Sequence, residues 1–175
     1  FKYMNKKIVV IGSCNTDMVV SMKRLPLPGE TLIGGEFFMN SGGKGANQAV
    51  AAARLGGDVC FIAKVGNDPF GSRAVDQYKA EGIRVEHIGV DREHPSGVAL
   101  IMVDEHGENS IAVASGANAA LSQADVDSAM KAIAECDIVL MQLETPIETV
   151  EYAARLAHGM GKRVVLNPAP AHALP

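Results

Sequence analysis

Three glycines around one lysine, Gly42-Gly43-Lys44-Gly45, run at once into Ala46-Asn47-Gln48-Ala49-Val50-Ala51-Ala52-Ala53-Arg54-Leu55. This stretch constrains the fold strongly, because it demands a tight backbone turn that delivers straight into a helix. Glycine lacks a Cβ and tolerates positive φ, so such a turn can pass close to a ligand. The helix start adds unpaired N–H groups and partial positive charge, which suit an anion or an oxygen-rich ligand. Lys44 and Asn47 bring side-chain donors to the same place. Neither familiar phosphate loop fits. The G-x-x-x-x-G-K-[ST] pattern would need glycine where Phe38 stands and Ser or Thr where Gly45 stands. A dinucleotide G-x-G-x-x-G would end on Gln48. A turn with no ligand remains the competing reading.

On either side, short β-rich runs alternate with helical ones. Ile8–Ile11, Val59–Val65, Glu86–Val90, Ile138–Leu143 and Arg163–Leu166 read as strands. Helices are expected from the glycine loop to about Leu55, over Phe70–Glu81, from the Ser122 cap to about Glu135, and from Thr145-Pro146 to about Ala157. That alternation predicts an α/β fold: a mostly parallel, Rossmann-like sheet flanked by helices. Strand-like runs at about 17–41 and 97–114, the latter a hairpin around Glu105-His106-Gly107-Glu108, fall outside the alternation. They predict a small second sheet beside the first.

With 175 residues and 47% apolar content the chain reads as one domain, residues 8–175 after a tail at 1–7. Phe1–Tyr3 read as an expression remnant ahead of Met4. The net charge of −4, without a basic stripe, argues against a nucleic-acid partner. No apolar run is long enough for a membrane span, and the first residues lack the apolar core of a signal peptide. Cys14, Cys60 and Cys136 are scattered, as are the five histidines, which predicts reduced cytoplasmic thiols and no zinc site.

In open parallel sheets, ligands sit beyond the carboxyl ends of the strands. Asn15 and Asp17 follow the first core strand, Glu144 follows Ile138–Leu143, and Asn167 follows the last. Lys44 and Asn47 can join them from the glycine loop. Carboxylates accept in pairs while amides and ammonium groups donate, a mixture that suits neighbouring hydroxyls better than a phosphate. Each residue also has a plainer role available. Asn15 and Asn167 suit turns, Asp17 a solvated bend, and Glu144 the positive start of the following helix.

At these residues the chain resembles the ribokinase branch of the PfkB sugar and nucleoside kinase family. The resemblance is carried by Gly12-Ser13-Cys14-Asn15-Thr16-Asp17, Pro28-Gly29-Glu30-Thr31, Gly42–Ala52 and Val65-Gly66-Asn67-Asp68-Pro69-Phe70-Gly71. It continues through Ser96-Gly97-Val98-Ala99, Gly116-Ala117-Asn118, Gln142-Leu143-Glu144 and Asn167-Pro168-Ala169-Pro170-Ala171. It implies a ribokinase-like fold and ATP-dependent phosphorylation of D-ribose at its 5-hydroxyl. By motif position, Asn15, Asp17, Gly43, Lys44, Asn47 and Glu144 would hold the sugar. The strands at 17–41 and 97–114 would form the family's β-sheet lid, through which two copies would pair as a homodimer. Ala99 and Ile101 would pack on the sugar or within the lid. ATP, Mg²⁺ and a monovalent cation such as K⁺ are implied as cofactors.

The family's N-x-x-E and G-A-G-D segments, which supply phosphate contacts and the general base, do not occur in these residues. No catalytic, metal or cofactor-binding residue is therefore expected here, and these residues alone are expected to be inactive. The alternatives are a non-catalytic ribose-binding or regulatory module, or a kinase for 2-deoxyribose or a nucleoside.

Overall fold

The structure is a computed structural model that describes residues 6–173. The expectations for Phe1–Tyr3 and Met4 lie outside the described residues. The chain runs β1 (Lys7–Ile11), β2 (Asn15–Ser21), β3 (Glu36–Gly42), α1 (Lys44–Arg54), β4 (Asp58–Gly66), α2 (Pro69–Ala80) and β5 (Ile88–Asp91). It continues as β6 (Gly97–Val103), β7 (Asn109–Ala114), a 3-10 turn (Gly116–Ala120), α3 (Gln123–Ser128), α4 (Met130–Glu135), β8 (Ile138–Met141), α5 (Ile147–Gly159) and β9 (Arg163–Leu166).

Five strands form a wholly parallel sheet in the order β5-β4-β1-β8-β9. Alternate residues of β1 feed two cores, because successive strand side chains point to opposite faces. Val9 and Ile11 pack with α3, α4 and α5, through Val126, Ile133 and Val150. Val10 packs on the other face with α1 and α2, through Ala46, Ala49, Ala74 and Tyr78. The alanines of α1 let the helix lie close to the sheet. Phe61 meets Tyr78 edge to face with ring centroids 5.4 Å apart. All three cysteines are free and buried, and burial pushes the Cys60 thiol up to about 11.

The second sheet is mixed, in the order β3-β2-β6-β7, with β2 and β6 parallel and both outer pairs antiparallel. Both expected sheets are present, so the fold is the expected α/β arrangement with a separate small sheet. Two local details differ from the sequence reading. Asn15, which follows β1 as expected, is the first residue of β2 rather than a turn residue. The helix expected from Ser122 to Glu135 breaks at Ala129, where the Ser128 hydroxyl bonds the Asp125 carbonyl at 2.7 Å. A hydroxyl bonded back to the preceding turn competes with the helical ladder.

Candidate functional site

The glycine loop is shorter than its sequence suggests. β3 ends on Gly42 and α1 starts at Lys44, so Gly43 alone makes the connection, at φ 90°. That left-handed conformation is why glycine stands there. Gly42 is needed for a different reason: a Cβ on it would lie 2.1 Å from the Asp17 carboxylate. Lys44, expected within the loop, instead forms the first turn of the helix.

The start of α1 is not an open anion hole. Lys44 N–H donates to Glu144 Oε2 at 2.9 Å, and Gly45 N–H to the Ser13 hydroxyl at 3.3 Å. Ala46 N–H donates to the Ser13 carbonyl at 2.9 Å. Glu144 therefore does serve a helix start, but that of α1 rather than of its own successor α5. The same carboxylate accepts from the Ser13 hydroxyl at 2.5 Å and pairs with Lys44 Nζ at 2.8 Å. Burial works to raise the Glu144 pKa, and the bonds from Lys44 and Ser13 outweigh it, leaving the group below the usual range.

These residues border a cavity of about 430 Å³ whose wall includes Ser13, Asn15, Lys44, Asn118, Glu144 and Thr145. Its size falls within the range of small-molecule sites. Asn15 is 6% exposed. Asp17 follows on the same face of β2 and is coupled to Glu144 and Lys44. Burial first, then the Glu144 charge, raises its pKa, and Lys44 offsets this only in part. Ala99 pairs with Asp17 across the second sheet, and Val113, on the cavity wall, pairs with Ala99. The second sheet therefore stands over the cavity as a wall. Ile101, in register with Val19, lies on that same face farther out.

Asn15, Lys44 and Glu144 converge on the cavity, with Asp17 beside them and Gly43 buried beneath. Asn47 does not join them: it is exposed and borders a second concavity of about 470 Å³ between α1 and α2, with Asn40, Ser41 and Gln77. Asn167 continues the pairing of β8, its N–H donating to the Met141 carbonyl at 2.9 Å, while Pro170 and His172 beyond it reach the cavity. Ser13 and Asn118 lay inside quoted motifs without an assigned role. Neither has a local signal for its site role, because Ser13 meets Glu144 and Asn118 meets Cys14 across more than 100 residues of chain.

The donor set does not fit a magnesium nucleotide. The Lys44 charge is balanced by Glu144, and the first N–H groups of α1 are taken by Ser13 and Glu144. Among the described residues, Cys60, Glu86 and His87 form the one group of metal-ligand types within 4.8 Å of one another. They lie toward the other end of β4, where Arg84 already pairs with Glu86. No nucleotide-dependent step is assigned to these residues.

The chain is 48% identical to the ribokinase of Haemophilus influenzae, over 98% of this chain and 56% of that protein. It is 40% identical to the deoxyribokinase of Salmonella typhi, over 94% and 54% respectively. The ribokinase structure from Giardia lamblia superposes with a TM-score of 0.87 at 36% identity, covering 97% of this chain and 53% of that one. The Arabidopsis thaliana ribokinase complexed with ribose and ATP gives 0.82 at 32% identity, covering 93% and 53%. The chain thus spans a little over half the length of the relatives it matches, and corresponds to their N-terminal portion. No helix among the described residues is long and apolar enough to cross a membrane. The two-sheet architecture, the polar residues at the carboxyl edge and a match over residues 5–175 agree: the chain belongs to the pfkB family of carbohydrate kinases.

Proposed function

We propose that the cavity binds D-ribose and that the protein, completed by a segment like the one its relatives carry beyond the matched region, transfers the γ-phosphoryl group of ATP to the 5-hydroxyl. The Asp17 carboxylate carries this reading. It is half-buried, raised by burial and by Glu144, and no hydrogen bond offsets that among the described residues. An under-satisfied acceptor of this kind is relieved by a pair of sugar hydroxyls, which a carboxylate takes in bidentate fashion. Asn15, Lys44 and Glu144 supply further polar contacts above the buried Gly43, while Asn47, at the second concavity, is left out of the sugar set. Ala99 faces the sugar from the lid.

ATP, Mg²⁺ and K⁺ belong to the additional segment in this reading, together with the general base. The lid keeps water from competing with the sugar for the transferred group. Its apolar side chains Phe37, Phe38, Leu100, Ile111 and Val113 are 47–60% exposed, and they suit a homodimer in which two lids cover one another. A cytoplasmic setting is part of this reading, and the free, buried thiols suit a reducing compartment.

Calorimetry with D-ribose, 2-deoxyribose and a nucleoside tests the substrate. Ribose is expected to bind at least about tenfold tighter than 2-deoxyribose, since a site built around a hydroxyl discriminates strongly against its loss. The 40% identity to a deoxyribokinase favours the reverse order as the second reading. Binding of ribose without ribose-dependent ATP turnover in the completed chain identifies a non-catalytic module instead.

A further inference from the structure

Asn118, in the 3-10 turn after β7, is 2% exposed. Its amide lies against the Cys14 peptide: Cys14 N–H donates to Asn118 Oδ1 at 2.9 Å, and Asn118 Nδ2 donates to the Cys14 carbonyl at 3.0 Å. A backbone N–H only donates and a carbonyl only accepts, so this pair fixes which end of the amide is oxygen. Asn118 Nδ2 also meets the Ser115 carbonyl at 3.0 Å and Asn15 Oδ1 at 2.8 Å. That nitrogen has two hydrogens for three acceptors: the shortest contact, to Asn15, takes one, the two carbonyls share the other, and the Asn15 atom facing it is its oxygen. The hydrogens of the Asn15 amide are thereby left for the cavity that Asn15 lines.

We infer that Asn118 is a positioning residue that locks Asn15 as a hydrogen-bond donor toward the cavity, so that an acceptor oxygen of the sugar is matched there. The inference rests on the ribose reading and adds the polarity of one contact to it. Rotating either amide would set oxygen against oxygen or hydrogen against hydrogen, an unsatisfied buried arrangement. Gly97 packs directly against the pair: a Cβ on it would lie 2.2 Å from Asn118 Nδ2 and 2.3 Å from Asn15 Oδ1. The lock also ties the base of the lid to the cavity wall, because Ser115 and Asn118 immediately follow β7.

A double-mutant cycle on ribose affinity, measured by calorimetry in the completed chain, tests the lock. Asn118→Ala is expected to weaken ribose about tenfold when Asn15 is present and less than about twofold when Asn15 is already Ala, a coupling in the range for contacting residues. A general structural role would give equal losses in both backgrounds, and that result overturns the inference. Asn15→Asp keeps an acceptor against Asn118 but turns the cavity-facing group from donor to acceptor. Ribose affinity is expected to fall at least about a hundredfold. Binding within about threefold of the parent overturns the inference even where Asn118→Ala fails to fold. A parent that binds no ribose overturns the functional reading itself, and the lock with it.

Discussion

The two sheets are built from similar β-forming residues but are used in opposite ways. In the parallel sheet Val9, Val10 and Ile11 of β1 and Val59 to Ala63 of β4 are almost wholly buried, closed on both faces by helices. In the mixed sheet every residue of β7 is exposed, and Phe37, Leu100 and Ile111 stand largely in solvent. The first sheet is a rigid frame whose carboxyl edge holds Glu144 and Ser13 in place. The second is held by strand pairing and by its root at Asn15, Gly42 and Gly97. A site between them has one fixed wall and one wall that is free on its outer part, the arrangement a closing lid requires.

The contrast makes an energetic prediction. Ile62→Ala, in the frame, should cost about 2–5 kcal/mol in urea unfolding. Ile111→Ala, on the lid, should stay within about 0.5 kcal/mol at concentrations where the chain is monomeric, and cost more where the proposed lid-to-lid dimer forms. A large loss at Ile111 would mean that the lid is packed against something in solution, and self-association measured by sedimentation would then identify a second copy. Gly45→Ala comes next. Its Cβ would lie 2.6 Å from the Ser13 nitrogen, a backbone contact that cannot swing away, so about 1–3 kcal/mol should be lost.

The paired carboxylates sharpen the comparison through pH. Glu144 lies below its usual range because the bonds from Lys44 and Ser13 outweigh burial. Its stabilisation is therefore complete above the ordinary glutamate range and disappears as pH falls through its lowered native value. Glu144→Gln should be destabilised at pH 7, and the gap to the parent should close on acidification. Asp17 is shifted the other way by burial and by Glu144. Its charged form burdens the fold above its raised native value, and the burden lifts as pH falls through that value. Asp17→Asn should raise the melting temperature slightly at pH 7 while weakening ribose binding. A fall in both would show that Asp17 serves packing rather than the ligand.

Much of this was legible in the sequence because it is written in local pattern. Strand–helix alternation gave the frame, Asp68-Pro69 the start of α2, and the glycines around Lys44 the turn into α1. The Gly42–Lys44 segment also shows the limit. Composition suggested a loop with free N–H groups, whereas Ser13 and Glu144, from strands β1 and β8 onward, fill the start of the helix. Asn118 was invisible for the same reason: its role depends on meeting Cys14 and Asn15 from 104 and 103 residues away. The break at Ala129 has a local cause in the Ser128 hydroxyl, but alanine and methionine on either side favour helix and mask it.

The most direct test is ribose-dependent ATP consumption by the completed chain, parent against Asp17→Ala. If the cavity is the sugar site, turnover at low ribose should fall at least about a hundredfold, the scale for losing a hydrogen-bonded charged contact to substrate. Turnover within about threefold of the parent would contradict the assignment of Asp17, and with it the placement of ribose between the two sheets.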